Sequence, residues 1–180
     1  MAGGGRGEGR CGLVAKQGRA GIGYDSHRCC PGRPLILGGV DIPHTWGLSG
    51  HSDADVLIHA VCDAVLGAVN AGDIGSHFPD HDPAFKGVSS LLLLARVREI
   101  AAARGYRVVN VDATVIMEQP KLRPFIGEMR DNIAGALALG SEAVSVKAKT
   151  NEKMGFVGRE EGVAALAVAM VEAAAPTGEK

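Results

Sequence analysis

The sequence predicts an α+β domain in which helices pack on one face of a mixed sheet. Two kinds of hydrophobic pattern lead to this fold class. Short stretches alternate between apolar and polar residues, as strands do, and longer stretches repeat their apolar residues at helical spacing. A length of 180 residues suits one domain with a single hydrophobic core. Because aromatic residues make up only 4% of the chain, Ala, Val, Leu and Ile must build that core.

The domain is predicted to cover residues 19–175, between two segments with little hydrophobic pattern. Residues 1–18 are rich in glycine and charge, which predicts a disordered N-terminal extension, and residues 176–180 are predicted to form a flexible tail. The first elements of the domain are two short strands, at residues 20–24 and 34–40.

A helix is predicted next, from Ser52 to about Val69. Ser52 would cap its start, with Asp55 three residues on, as in a capping box. Its apolar residues lie almost all round, which is typical of a helix buried on more than one side. The pattern then predicts a helix at 89–104, a strand at 108–117, a helix at 124–139, a strand at 143–150 and a last helix at 160–174. In the first of these strands, Val109 and Val111 would share one face.

The composition argues against several classes of protein. The net charge is −1, so the chain has no basic field that would attract nucleic acid. No apolar run approaches the roughly 20 residues of a membrane span. None of the four cysteines (Cys11, Cys29, Cys30 and Cys62) forms a CxxC pair, which predicts free thiols in a reducing, cytoplasmic protein. We therefore expect neither a nucleic acid nor a membrane among its partners.

Residues that can bind a metal are concentrated in GYDSH and GHSDADVLIH. Asp25 and His27 are two residues apart at the end of a strand, so their side chains point the same way and can converge with His59 on the helix. Two histidines and one carboxylate suit zinc, or another divalent transition metal, with an open coordination position. Asp55 or Asp63 is a candidate acceptor that would fix the tautomer of a ligand histidine. The alternative is a capped helix with a solvated polar stripe.

Two further segments carry polar side chains that suit a phosphorylated polyol. The loop GDIGSHFPDHDP offers the carboxylates of Asp73, Asp80 and Asp82 to hydroxyl groups, although simple turn chemistry accounts for them equally well. The segment KAKTNEKMGFVGR follows a strand and offers cations, a hydroxyl group and the carboxylate of Glu152. With the loop QPKLRP at 119–124 it indicates an anionic ligand, and a solvated basic turn is the alternative.

These segments, in this order, resemble the 2-C-methyl-D-erythritol 2,4-cyclodiphosphate synthase family of the non-mevalonate isoprenoid pathway. The matching stretches are GIGYDSHR, LILGGVDIPHTWGLSGHSDADVLIHAVCDAVLGA, GDIGSHFPDHDPAFKG, NVDATVIMEQPKLRPFI and VKAKTNEKMGFVGREEG, which cover nearly all of residues 20–172. The resemblance implies a four-stranded mixed sheet with helices on one face. It also implies a homotrimer whose sheets face the threefold axis and whose active sites lie between subunits.

The resemblance implies a metal-binding role for four residues. Asp25, His27 and His59 look like the ligands of one zinc ion per subunit. Glu152 looks like the ligand of a magnesium or manganese ion at the diphosphate of the substrate.

The resemblance also implies catalytic and binding residues. His51 and Thr150 look like the catalytic residues that stabilise the transition state. Phe156 and Arg159 resemble residues at a central cavity, where some members bind an isoprenoid diphosphate. The full set of implied substrate-binding residues is Asp25, His27, His51, Ser52, Asp73, Ile74, Gly75, Phe78, Asp80, Asp82, Met117, Pro120, Lys121, Leu122, Arg123, Lys149, Thr150, Asn151, Glu152, Phe156 and Arg159.

The implied reaction converts 4-diphosphocytidyl-2-C-methyl-D-erythritol 2-phosphate to 2-C-methyl-D-erythritol 2,4-cyclodiphosphate and releases CMP. Because the attacking 2-phosphate is already anionic at neutral pH, the protein needs no strong general base. Its tasks are to neutralise charge and to position the reacting groups. Two alternatives stay open: a metal-dependent phosphohydrolase, which would release a linear product, and a non-catalytic isoprenoid-diphosphate binder, which would not need Asp25 or His27.

Overall fold

This computed structural model describes residues 18–174 of the chain, which form seven strands and five α-helices. Residues 1–17 of the predicted extension, with Cys11, and the predicted tail at 176–180 lie outside the described residues. The strands are β1 (Arg19–Pro31), β2 (Leu35–Leu37), β3 (Val40–Ile42), β4 (Trp46–Leu48), β5 (Tyr106–Ile116), β6 (Val144–Lys149) and β7 (Gly162–Ala173). The helices are α1 (Val56–Ala68), α2 (Ile74–His77), α3 (Ser90–Ala103), α4 (Ile126–Leu137) and α5 (Gly155–Gly158), with 3₁₀ turns at Pro83–Phe85 and Ser141–Ala143.

The main sheet is mixed and has five strands in the order β4-β1-β7-β5-β6. Only β5 and β6 run parallel, and the other neighbours are antiparallel. The fifth strand, beyond the four that were expected, is β4, whose three residues pair with the end of β1. β2 and β3 form a separate hairpin where one strand was predicted at 34–40, because Gly38 and Gly39 turn the chain with φ of 59° and 72°.

The helix predicted at 160–174 is wrong, because this segment forms the strand β7. Its alanines favour a helix in isolation, but they alternate with larger residues at the period of a strand. Ala165, Ala167 and Ala169 are buried, whereas Leu166 and Val168 are 39% and 44% exposed. β7 pairs with β1 on one side and β5 on the other over nearly its whole length, so tertiary pairing overrides local propensity.

Two other local predictions are corrected by the backbone. A register shift in β5 between Val108 and Asn110 buries Val108 and leaves Val109 38% exposed, so Val109 and Val111 do not share a face. The first long helix begins at Val56 rather than after Ser52, and its cap is Asp55, whose Oδ1 accepts the backbone N–H of Ile58 at 3.1 Å.

The helices lie on one face of the main sheet, as predicted. α1 packs against β1 and β7, α3 against α1 and β5, and α4 against α3 and β6. The other face carries apolar side chains that no described element covers. These include Ile22 and Tyr24 of β1, which are 71% and 53% exposed, and Leu166, Val168 and Met170 of β7.

Candidate active site

The close approach of α1 to β1 sets the geometry of the site. Gly21 and Gly23 lie on the face of β1 that α1 covers, and a methyl group at either would overlap a backbone carbonyl oxygen of the helix, at Ala64 and Ala60 respectively. Asp25 and His27 continue the same face of the strand by period-2 alternation. Because the helix backbone lies against these glycines, His59 of α1 reaches both side chains.

Asp25, His27 and His59 form the predicted cluster. His59 Nδ1 lies 3.0 Å from both Asp25 Oδ2 and His27 Nε2, and His27 Nε2 lies 3.1 Å from Asp25 Oδ2. A tetrahedral ion with ligands at about 2.0–2.1 Å requires ligand atoms about 3.3 Å apart, so the three atoms fit one metal ion with little movement. The cluster therefore suits a divalent metal with an open position, and the donor set does not by itself identify the metal.

The ionisation of the cluster reflects the same convergence. Burial raises the pKa of Asp25, but hydrogen bonds and charge from His27 and His59 outweigh burial and hold this pKa well below its usual range. Burial lowers the pKa of His59, but the neighbouring Asp25 carboxylate outweighs it and raises this pKa. The three side chains thus attract positive charge to the point where they meet.

The residues hydrogen-bonded to the His59 ring in the structure are not the ones that the sequence predicted. Asp55 accepts the backbone N–H groups of Ile58 and Gly39 at 3.1 and 2.7 Å, and Asp63 accepts that of Ile74 at 2.7 Å. Neither carboxylate is hydrogen-bonded to the ring of His59, whose Nε2 lies instead 3.1 and 3.0 Å from the hydroxyl oxygens of Ser52 and Ser90.

The cluster forms part of the wall of a cavity of about 570 Å³. His51 and Ser52 line this cavity in the loop that precedes α1, and the His51 ring donates from Nε2 to the carbonyl oxygen of Asp82 at 2.9 Å. Asp73 lies outside the lining and caps α2 by accepting the backbone N–H of Ser76 at 2.8 Å. The residues expected to bind substrate that line this cavity are Asp25, His27, His51, Ser52, Ile74, Gly75, Phe78 and Asp80. The lining also includes residues that the motifs had not assigned to substrate, namely Gly50, Asp63, Pro79, His81, Phe85 and Leu93.

An arginine that the sequence analysis missed holds the loop of His51 and Ser52. The Arg33 guanidinium donates to the carbonyl oxygens of Gly50 and Ser52 at 2.5 and 2.6 Å. Its charge therefore lies next to the loop that lines the cavity. No local pattern signals this role, because the contact joins residues 17 and 19 positions apart in an irregular segment.

A second cavity, of about 180 Å³, lies where the parallel strands β5 and β6 end. The carboxylate of Glu118 fixes the neighbouring loop by accepting the backbone N–H groups of Asn151 and Lys153 at 3.0 and 3.1 Å. Thr150 donates its hydroxyl hydrogen to Glu152 in this loop. The predicted residues that line the second cavity are Met117, Pro120, Lys121, Leu122, Arg123, Lys149 and Thr150.

Six predicted residues line neither cavity: Asp73, Asp82, Asn151, Glu152, Phe156 and Arg159. Phe156 lies in α5 and is 38% exposed. Arg159 ends that helix and is paired with Glu161 at 2.8 Å.

The model of the YgbB family matches residues 18–172. The chain belongs to the YgbB family. Its curated YgbB-family relatives include a protein of Syntrophus aciditrophicus that is 58% identical over 86% of this chain and 97% of its own length. Another, from Syntrophotalea carbinolica, is 57% identical over 90% of this chain and 99% of its own length. Both are named 2-C-methyl-D-erythritol 2,4-cyclodiphosphate synthase, which confirms the resemblance drawn from the motifs.

Solved structures share the fold. The IspF CDP complex of Plasmodium falciparum is 31% identical, has a TM-score of 0.77, and matches 89% of this chain and 99% of that chain. The bifunctional IspDF of Campylobacter jejuni is 42% identical with a TM-score of 0.85 over 88% of this chain, which spans 43% of that longer protein. The YgbB-family fold here is thus an α+β fold with a mixed five-stranded sheet. Within residues 18–174, no helix has the length and apolar character that crossing a membrane requires.

Proposed function

We propose that the protein converts 4-diphosphocytidyl-2-C-methyl-D-erythritol 2-phosphate to 2-C-methyl-D-erythritol 2,4-cyclodiphosphate and releases CMP. The observation that carries this proposal is the convergence of Asp25, His27 and His59 at the wall of a cavity of about 570 Å³. Relatives that share 57–58% of this sequence carry the name of that synthase, and the chain spans 97–99% of their length. The activity is that of a CMP-releasing lyase in isoprenoid precursor synthesis.

Two metal sites belong to the proposal. Asp25, His27 and His59 would hold zinc or another divalent transition metal, one ion per subunit. Glu152 would hold magnesium or manganese, which suits an ion bound through one carboxylate, waters and substrate phosphates. When bound, these ions would polarise phosphate oxygens and neutralise the charge of the diphosphate.

His51 and Ser52 are proposed to hold phosphate oxygens of the substrate. Because Nε2 of His51 already donates to the Asp82 carbonyl oxygen at 2.9 Å, a donor for phosphate must be its Nδ1–H. The ring would then carry both protons and a positive charge, which suits a group that opposes developing negative charge. Asp73, Ile74, Gly75, Phe78 and the carboxylates of Asp80 and Asp82 are proposed to enclose the methylerythritol unit.

The second cavity is proposed to bind the cytidine diphosphate part of the substrate. Lys121, Arg123 and Lys149 contribute three cations to this small cavity, which suits a diphosphate. Its apolar residues Met117, Pro120 and Leu122 would contact the nucleoside, and a family member has been solved as a CDP complex. Thr150 and Asn151 would complete this region, with Thr150 as a catalytic residue beside Glu152.

We propose a homotrimer with the uncovered faces of the main sheets on its threefold axis. Ile22 and Val168 are cross-strand partners on that face, as are Tyr24 and Leu166, so their exposed side chains form a continuous apolar surface. Large apolar surfaces of this kind mark interfaces between chains. The trimer would bring the two halves of each active site together from neighbouring subunits, and residues 19–175 would be the domain that assembles.

In the proposed reaction, an oxygen of the 2-phosphate forms a bond to the β-phosphorus. The bond from that phosphorus to the bridging oxygen of the α-phosphate breaks, and CMP leaves with the electron pair. The protein lowers the barrier by holding the two anionic groups together and in line. Phe156 and Arg159 take no part in this step and are proposed to face an isoprenoid diphosphate in the central cavity of the trimer.

Phosphorus NMR of the purified protein with substrate, zinc and magnesium tests the proposal. We expect a cyclic diphosphate and an equal amount of CMP. Linear phosphate products would instead indicate a phosphohydrolase. Absence of any reaction by the metal-loaded protein would contradict the synthase activity and favour a binding protein.

A further inference from the structure

The ring of His59 is held from its far side by two serines. Its Nε2 lies 3.0 Å from the hydroxyl oxygen of Ser90 and 3.1 Å from that of Ser52, while its Nδ1 faces Asp25 and His27. Ser90 is completely buried at the first residue of α3. A buried hydroxyl next to a ring nitrogen can either donate or accept, so the direction of its own hydrogen decides which tautomer the ring adopts.

The carboxylate of Asp53 determines the direction of the Ser90 hydroxyl hydrogen. Its Oδ2 accepts the backbone N–H of Ser90 at 2.9 Å, and its Oδ1 accepts the hydroxyl hydrogen of the same residue. An ionised carboxylate can only accept, so the hydroxyl hydrogen of Ser90 is committed to Asp53. The oxygen of Ser90 is then left to accept from His59 Nε2–H.

Ser52 does not determine the tautomer in this way. Its oxygen accepts the backbone N–H of Ala54 at 3.1 Å, but its hydroxyl hydrogen has no carboxylate partner and can turn toward several acceptors. Ser90 is therefore the hydroxyl whose direction is fixed.

We propose that Asp53 and Ser90 are positioning residues that keep a proton on His59 Nε2, so that Nδ1 is the nitrogen that His59 offers to a metal ion in the cluster. This inference rests on the proposed function, in which that cluster binds a divalent metal ion. The chain Asp53–Ser90–His59 connects the loop before α1, the start of α3 and the first turn of α1. It supplies the orienting carboxylate that a ligand histidine usually requires, but through a serine.

Zinc affinity of the Ser90→Ala variant tests the proposal. The variant keeps the backbone N–H that donates to Asp53, so α3 retains its start and only the hydroxyl is removed. We expect zinc to bind about 10- to 100-fold more weakly, as measured by competition with a chelator. Ser89→Ala is the matched control, because Ser89 is the neighbouring residue and makes no side-chain capping bond. It should leave zinc affinity unchanged.

Asp53→Asn is a second variant with a spectroscopic readout. Its amide oxygen can still accept the backbone N–H of Ser90, but its amide nitrogen would donate to the Ser90 hydroxyl oxygen. That hydroxyl would then donate to His59 Nε2 and favour the wrong tautomer. With zinc bound, nitrogen-15 NMR of the imidazoles should show the His59 proton on Nε2 in the wild type. The Asp53→Asn variant should need more zinc to reach that spectrum, because the tautomer that it favours carries its proton on Nδ1, where the metal would bind.

The two possible failures are distinguishable. If the wild type binds zinc at one ion per subunit and Ser90→Ala binds it equally well, the positioning role is wrong and the metal centre stands. If the wild type binds no divalent metal, the metal centre fails and this inference fails with it. A zinc-loaded wild type in which His59 carries its proton on Nδ1 would also overturn the inference, whatever the affinity of Ser90→Ala.

Discussion

Two imidazole nitrogens and one carboxylate oxygen lie 3.0–3.1 Å from one another in the side chains of Asp25, His27 and His59. Their lone pairs repel unless a proton or a metal ion lies between them. The fold nevertheless holds them there, because two of the side chains belong to one face of β1 and the third to a helix packed directly on that face. The arrangement is therefore prepared for a cation before the cation binds.

His59→Ala should abolish stoichiometric zinc binding and reduce turnover to nearly nothing, because two ligands cannot replace three. Metal analysis of the purified variant, with the rate of CMP release, measures both effects. His77→Ala removes a histidine whose ring is hydrogen-bonded to the Ala71 carbonyl oxygen, outside the metal cluster, and should leave zinc content unchanged. Full zinc content in His59→Ala would contradict the assignment of this ligand.

Glu152→Gln should weaken the dependence on magnesium without changing the zinc content. An amide binds a hard divalent ion more weakly than a carboxylate does, so more magnesium should be needed for half-maximal activity. Glu142→Gln makes the same charge change in the 3₁₀ turn Ser141–Ala143 and serves as its control. An identical magnesium titration for wild type and Glu152→Gln would count against the second metal site.

Among the elements, α1 shows most directly how the sequence sets the site. Its start depends on Asp55, which is fully buried and accepts backbone N–H groups from both Ile58 and Gly39. Its position relative to the sheet depends on Gly21 and Gly23, which let the helix backbone lie against β1. A cap and two glycines thus determine where His59 lies.

Asp55→Ala should lower the free energy of unfolding by about 2–4 kcal/mol, through the lost helix cap and a buried N–H group left without a partner. Urea denaturation measures the change. Ser89→Ala alters a cap position that makes no side-chain hydrogen bond, and we expect it to change stability by less than about 0.5 kcal/mol. Equal stabilities of the two variants would show that Asp55 does not support the helix.

Gly23→Ala should prevent stable folding, because the added methyl group would overlap the Ala60 carbonyl oxygen, which is backbone and cannot move aside. Gly135→Ala adds the same methyl group in α4, where nothing lies within 4 Å of it. That variant should gain about 0.5–1 kcal/mol from helix propensity. Circular dichroism during heating compares the two, and a normally folded Gly23→Ala would refute the close approach of α1 to β1.

The sequence predicted α3, α4, β5 and β6, and the metal cluster, because these depend on patterns within one segment or on two residues of one strand. Helix 89–104 and strand 143–150 agree with α3 and β6 to within a residue or so. The prediction of a last helix was wrong because nothing in the local sequence of β7 indicates that β1 and β5 will pair with it. Arg33, Glu118 and the Asp53–Ser90 contact were missed for a similar reason: each acts on a segment that is distant in sequence.

At the scale of the whole molecule, the proposed trimer explains the uncovered face of the sheet. Within residues 18–174, this face joins exposed apolar side chains of β1 and β7 into one surface, whereas the opposite face is covered by helices. Burial of that surface between three copies would add a shared core to a domain that has few aromatic residues. Cavities that are separate in one chain would then belong to one active site.

Val168→Glu should dissociate the trimer and abolish cyclisation, because it places a charge in the centre of the apolar face. Analytical ultracentrifugation of the wild type and the variant measures the mass of the assembly. Leu92→Glu changes another exposed apolar residue, 62% exposed on α3, and should remain trimeric and active. A monomeric wild type, or a trimeric and active Val168→Glu, would contradict the proposed assembly.

The position of β7 between β1 and β5 also bears on how the chain folds during its synthesis. β1 emerges from the ribosome before the other described strands, and among residues 18–174 its only strand partner before β7 is the three-residue β4. Until Gly162–Ala173 has been made, the strand that carries Asp25 and His27 has no long partner to hold it in the main sheet. The metal cluster of Asp25, His27 and His59 is therefore completed only after β7 has been made.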